Sequence, residues 1–291
     1  MKQRILTGLI FTIMIAAFVI PGYWTMWPPV ILLAAVAVIA SCEISSAMRH
    51  CCRKPNLTLV IIGSLFCLLP LATRLIWSPD ATLFSAVASF ALALFCLLVF
   101  MAASIIARLL IDGPSSFPDA LATNGAMLYV SFPLTCAILL LTHIDGGWLW
   151  LVIGLSAPWV SDVFAYFTGS LFGRHLIVPS LSPKKTVEGC FGGIAGSMLS
   201  QMLIFHLFRD MLGGSVNRPS IYLTFAILSG LLLSIASQLG DWLASGFKRY
   251  CGIKDFGDVL PGHGGLMDRF DSAFFTLPIT LILAILYQVI I

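Results

Sequence analysis

The chain has 291 residues, of which 29 are charged (16 basic and 13 acidic), while 59% belong to the apolar set. A soluble globular protein carries roughly 25% charged residues, so this chain has too few charges to cover a soluble surface, and its composition excludes an ordinary soluble enzyme, a disordered protein and a secreted disulfide scaffold. A polytopic membrane protein remains, and a net charge of +3 is too small to point to nucleic acid.

In chain order, Lys2 and Arg4 precede an uncharged run from Ile5 to about Trp24. No small-residue cleavage site follows and further apolar segments do, which predicts a retained first span rather than a signal peptide. Apolar stretches of spanning length follow near 28–47, 57–78, 82–106, 123–143, 147–169, 189–208, 220–240 and 272–291. The fold class predicted is therefore all-α, with about nine transmembrane helices. The stretch from Gly189 departs most from a plain span, being Gly-rich and containing His206. With the N-terminus in the cytoplasm, nine spans place 13 basic residues inside and three (Arg74, Arg209 and Arg218) outside. That is the asymmetry of the positive-inside rule. The eight cysteines include no CxxC pair and several lie in apolar runs, so they read as small packing residues or reduced thiols.

The two halves differ. Segments 162–188 and 239–271 hold 14 of the 29 charges. Residues 1–150 read as a transmembrane scaffold and 151–291 as a catalytic transmembrane region with cytoplasmic segments.

Three charged clusters could carry chemistry. Asp162 lies near the end of an apolar span, where a carboxylate needs a partner, water or a metal. Asp162, Tyr166, Gly169 and Gly173 share one helix face, and the glycines would admit another helix or a ligand. A packing face with a boundary aspartate reads the same residues equally well. Next, Ser182-Pro183-Lys184-Lys185-Thr186 precedes a resumed helix. Two lysines and a hydroxyl at a helix start suit a polyphosphate, although stop-transfer lysines look similar. The third cluster places Asp241, Ser245 and Lys248 at i, i+4 and i+7, then the turn Pro261-Gly262-His263-Gly264-Gly265, then Asp268, Arg269 and Asp271. Its plain reading is a loop with structural ion pairs such as Asp241–Lys248. Its functional reading is a set of hard oxygen donors for Mg²⁺ with cations for phosphates, hence phosphoryl or nucleotidyl transfer. No second histidine stands near His263 to suggest a transition metal.

From Ser245-Gly-Phe247-Lys248-Arg249 through Lys254-Asp255-Phe-Gly257 to Leu260-Pro261-Gly-His263-Gly264-Gly265-Leu-Met-Asp268-Arg269-Phe-Asp271, the sequence resembles the signature of the phosphatidate cytidylyltransferases, or CDP-diacylglycerol synthases. Asp162, Ala165, Tyr166, Gly169 and Gly173 resemble that family's first characteristic segment. Ser182 to Thr186, with Glu188 and Gly189, resemble its second, and Ser161 stands where relatives often carry Ala or Gly. The motifs cover roughly 155–291. The resemblance implies that CTP and phosphatidate give CDP-diacylglycerol and pyrophosphate. It also implies Mg²⁺ dependence with K⁺ assisting, a homodimer, and a place in the bacterial inner membrane with the N-terminus and the site cytoplasmic. Within that framework Asp241, Lys248, Asp268 and Arg269 are the catalytic candidates, and Asp241, Asp268 and Asp271 the metal ligands. Asp162, Lys184, Lys185, Thr186, Ser245, His263, Gly264 and Gly265 are the candidates for binding CTP and its phosphates. The rival readings are a multi-span transporter, which would show inverted repeats and broken helices in matching halves, and another CTP- or lipid-phosphate-using enzyme such as a polyprenol kinase.

Overall fold

The structure is a computed structural model that describes residues 2–76, 83–177, 185–212, 219–259, 262 and 264–290. Among the described residues it is built from helices, with a single isolated antiparallel bridge between Leu176 and Thr186. In chain order the helices are α1 (Lys2–Val19), α2 (Trp27–His50), α3 (Leu57–Leu65), α4 (Leu69–Ile76), α5 (Leu83–Asp112), α6 (Phe117–His143), α7 (Gly147–Phe172), α8 (Val187–Leu207), α9 (Pro219–Tyr250), α10 (Met267–Phe270) and α11 (Ala273–Ile290). Eight stretches within these are long and apolar enough to cross a membrane, and Thr7–Tyr23 forms a shorter apolar helix. The protein is thus a polytopic helical membrane protein.

The boundaries follow local chemistry. Pro28 and Pro29 sit in the first turn of α2, where a missing N–H costs nothing. Asn56 caps α3 by accepting the N–H of Leu59 at 3.2 Å. The span expected at 57–78 is broken by a 3₁₀ turn at Phe66–Leu68, one residue before Pro70 enters the first turn of α4. Prolines 133, 158 and 278 stand inside α6, α7 and α11, as membrane helices tolerate.

The chain forms two compact units. One comprises residues 1–143 and 247–270, the other 144–246 and 271–291. In the first, Leu33, Val36, Ala37 and Ala40 make a buried stripe on α2 at helical spacing. The hydroxyl of Ser41 donates to that of Ser64 at 2.8 Å, joining α2 to α3. A Cβ on Gly63 would lie 2.6 Å from the sulfur of Met127, so α3 and α6 meet where a side chain is missing. In the second unit the core is aromatic. Trp150 of α7 meets Phe205 of α8 and Tyr287 of α11 edge to face, at 5.7 and 5.5 Å between ring centroids.

One expectation is corrected here. Cys51 and Cys251 are joined by a disulfide, with Cα atoms 4.8 Å apart. It ties the end of α2 to the residue after α9. A bond across 200 residues of sequence rests on tertiary proximity, and cysteine spacing carries no trace of that.

Candidate active site

In the first unit the centre of the charged cluster is Asp268, on the single turn of α10. Its Oδ1 accepts Lys248 Nζ at 2.7 Å, and its Oδ2 accepts the N–H groups of Phe256 and Gly265 at 2.8 and 2.9 Å. Both side chains of the ion pair are largely withdrawn from solvent, at 13% and 7% exposure for Lys248 and Asp268. The Lys248 ammonium also lies 5.2 Å from the centroid of the Phe256 ring, which stacks on Phe247. Two backbone N–H bonds and an ammonium fix the direction of this carboxylate.

The Gly-rich turn wraps this carboxylate. Gly264 has φ +80°, in the left-handed region, and a Cβ there would lie 2.9 Å from Asp268 Oδ2. Gly265 is crowded by Glu43 of α2, whose two carboxylate oxygens would both be 2.6 Å from an added Cβ. Glu43 is buried, and its Oε1 and Oε2 accept the N–H groups of Leu266 and Met267 at 2.9 and 2.6 Å. These glycines therefore let the backbone come close to the protein's own carboxylates. Sequence reasoning missed Glu43, because it stands alone in an apolar span 223 residues away from its partner. A lone acid at membrane depth was the one available signal.

In the second unit Lys185 Nζ forms an ion pair with Asp241 Oδ2, and Ser245 Oγ donates to Asp241 Oδ1 at 3.4 Å. The ion pair imagined between Asp241 and Lys248 is replaced by two others, Lys185–Asp241 and Lys248–Asp268. Thr186 caps α8, its Oγ1 accepting the N–H of Gly189 at 3.1 Å. The N–H of Val187 is taken by the carbonyl of His175 at 2.8 Å. Glu188 accepts the N–H of Arg174 and His175 Nδ1 at 3.1 and 2.7 Å. Much of this helix start is thus satisfied from within. Gly169 and Gly173 admit Thr186, since a Cβ on either would lie 2.9 Å from its Oγ1. Asp162 and Tyr166 lie exposed on α7. Asp271 is buried, and its Oδ1 accepts the N–H of Ser272 at 2.7 Å, holding the turn before α11. Arg269 is half-buried on α10. Lys184 and His263 lie outside the described residues.

The donors offered are carboxylate oxygens, which suit a hard cation. Such an ion takes one or two carboxylates and completes its shell with substrate phosphates and water. Among the described residues no group of three His, Cys, Asp or Glu side chains is gathered.

Fold and side chains together define a class: a polytopic membrane protein with lysine–carboxylate pairs, rather than a greasy scaffold alone. Similarity to known proteins narrows it. Residues 2–287 match the model of the cytidylyltransferase family. A Bacillus subtilis protein named phosphatidate cytidylyltransferase is 32% identical over 290 residues, 99% of both chains. Proteins of that name from Staphylococcus epidermidis and Thermotoga maritima are 43% and 37% identical over 139 and 171 residues. Those two alignments span 50% and 61% of the relatives' own length. The chain belongs to the cytidylyltransferase family.

Proposed function

We propose that this protein transfers a cytidylyl group from CTP to phosphatidate, giving CDP-diacylglycerol and pyrophosphate in phospholipid synthesis. The observation that carries the reading is the segment 245–271, whose resemblance is to this activity and whose Lys248 and Asp268 are held 2.7 Å apart beneath the Gly264–Gly265 turn. The end-to-end similarity to the Bacillus subtilis phosphatidate cytidylyltransferase supports it.

A phosphatidate oxygen attacks the α-phosphorus of CTP, the bond from that phosphorus to the bridging oxygen breaks, and pyrophosphate leaves with the electron pair. The lipid phosphate is already anionic near neutral pH, so no strong general base is needed. The barrier lies in bringing anions together and in the charge that grows on the leaving group, which positioning and fixed cations address. Lys185 and Lys248 are cations held in place by their aspartates, ready to meet phosphate oxygens. Ser245 and Thr186 offer hydroxyls, and Asp162, Lys184, His263 and Arg269 are the further candidates for contacts to CTP and the head group. Asp268 in the first unit and Asp241 in the second are the carboxylates proposed as ligands for Mg²⁺, with K⁺ assisting, and the ion would offset phosphate charge as a Lewis acid. Asp271, turned into its own helix start, is the weakest of the three acids for that role.

In this reading the protein is a homodimer of the bacterial inner membrane, with the N-terminus and both charged segments cytoplasmic, where CTP is found. Purified protein incubated with cytidine-labelled CTP, phosphatidate and Mg²⁺ is expected to yield lipid-soluble labelled CDP-diacylglycerol. Absence of that product, in detergent where the Bacillus subtilis relative forms it, overturns the reading.

A further inference from the structure

We propose that Glu43 is a positioning residue, which grips the backbone at Leu266 and Met267 and thereby sets where Asp268 stands.

Glu43 lies in α2, a helix that is otherwise a membrane span, and the residue is 6% exposed. A buried carboxylate is costly, and apolar packing of α2 gives no reason to keep one there. What the carboxylate does is specific. Its two oxygens accept two successive backbone N–H groups, Leu266 to Oε1 and Met267 to Oε2. Gripping two adjacent donors needs two acceptors on one rigid group. A glutamine offers a single acceptor and turns an NH₂ toward the other donor, so Glu is required rather than tolerated. The surroundings are shaped to this group as well. Gly257 and Gly265 both pack on the carboxylate, and a Cβ at either would stand 2.7 and 2.6 Å from Oε1.

The residues so held lead directly into Asp268. Gly265, immediately before the gripped pair, donates its N–H to Asp268 Oδ2 at 2.9 Å, and Met267 is the residue before Asp268. Glu43 and Asp268 thus clamp one short stretch of backbone from two sides. Moving that stretch moves Asp268 relative to Lys248 and Phe256. A misplacement of about 1 Å can cost about 100-fold in rate.

The activity arm of the test rests on the proposed cytidylyl transfer, and the backbone arm does not. In Glu43→Gln, hydrogen–deuterium exchange across the Leu266 and Met267 amides is expected to rise about tenfold or more, since one of their two acceptors is replaced by an NH₂ group that opposes an N–H. Exchange across α7 and α8 stays as in the parent. In the same protein kcat falls at least about tenfold while KM for CTP changes less than about threefold, the pattern of a misplaced group rather than a lost binding contact. Glu43→Asp, which keeps two acceptors on a shorter arm, recovers part of the loss, and it serves as the primary variant should Glu43→Gln fail to fold. Unchanged exchange at 266–267 overturns the inference whatever the activity. Faster exchange with unchanged kcat overturns the positioning role. A parent protein with no cytidylyltransferase activity, but with exchange that responds to Glu43, defeats the proposed function and leaves the clamp established.

Discussion

Asp268 shows how much one carboxylate can be asked to do. Its Oδ2 holds two backbone N–H groups and its Oδ1 faces Lys248. In Asp268→Asn the amide oxygen can keep the backbone bonds, but its NH₂ then meets the Lys248 ammonium, and the negative charge is gone. Turnover with Mg²⁺ is expected to drop at least about 100-fold, with the folded protein still recovered, and near-normal Mg²⁺-dependent turnover removes Asp268 from the metal set. Lys185 makes the complementary case. Its pair with Asp241 is 30% and 25% exposed, and such pairs add roughly 0–1 kcal/mol to stability. Lys185→Ala should therefore leave Tm within a few degrees. A lost charge-assisted contact to phosphate, worth about 1.5–3 kcal/mol, should raise KM for CTP by about tenfold to 100-fold. A Tm collapse with unchanged KM refutes a phosphate role for Lys185. At this scale the sequence was legible where residues act near one another along the chain, as Asp241 with Ser245 does. It gave no partner for Glu43, because a hydrogen bond between residues 43 and 266 leaves no periodic mark.

Among the elements, the helices were legible because spanning length and hydropathy are set within each segment. The breaks were less so. Ahead of the stretch expected at 272–291 stands a separate turn of helix: α10 ends at Phe270 and α11 begins at Ala273. The turn between them is closed by Asp271 accepting from Ser272, a local bond that competes with helix continuation. The Lys-Lys-Thr motif suits either a phosphate or stop-transfer lysines at a helix start, and Thr186 does precede α8, as its cap. Thr186→Ala should cost about 1 kcal/mol and lower Tm by a few degrees, whereas Thr186→Ser keeps the acceptor and most of the stability. Equal losses from Ala and Ser argue that the methyl packing against Gly173, rather than the cap, is what matters. The Cys51–Cys251 bond makes its own demand on two helix ends. Reductant is expected to lower the Tm of the purified protein and to leave Cys51→Ser unaffected, and a reductant effect that persists in Cys51→Ser disproves the assignment.

For the whole molecule, the scarcity of charge turns into a statement about sides. Moving a Lys or Arg across a bilayer centre is expensive, so basic residues accumulate on the face from which they need not cross. In the proposed topology, nine spans with a cytoplasmic N-terminus, Trp24 and Asp145 lie outside, and Lys54 and Lys254 inside. Trp24 is 75% exposed beside Tyr23 at the end of the first apolar helix, where amphipathic rings favour the membrane–water boundary. In a background with the exposed Cys42 and Cys52 replaced by serine, Trp24→Cys and Asp145→Cys should react with a membrane-impermeant maleimide on intact spheroplasts. Lys54→Cys and Lys254→Cys should react only after the membrane is opened. The Lys254 position decides the most, because it lies between Lys248 and Asp268. If Lys254→Cys is labelled from outside as readily as Trp24→Cys, the charged segment faces away from cytoplasmic CTP. The cytidylyl-transfer reading then fails at its substrate, however well the side chains are arranged for it.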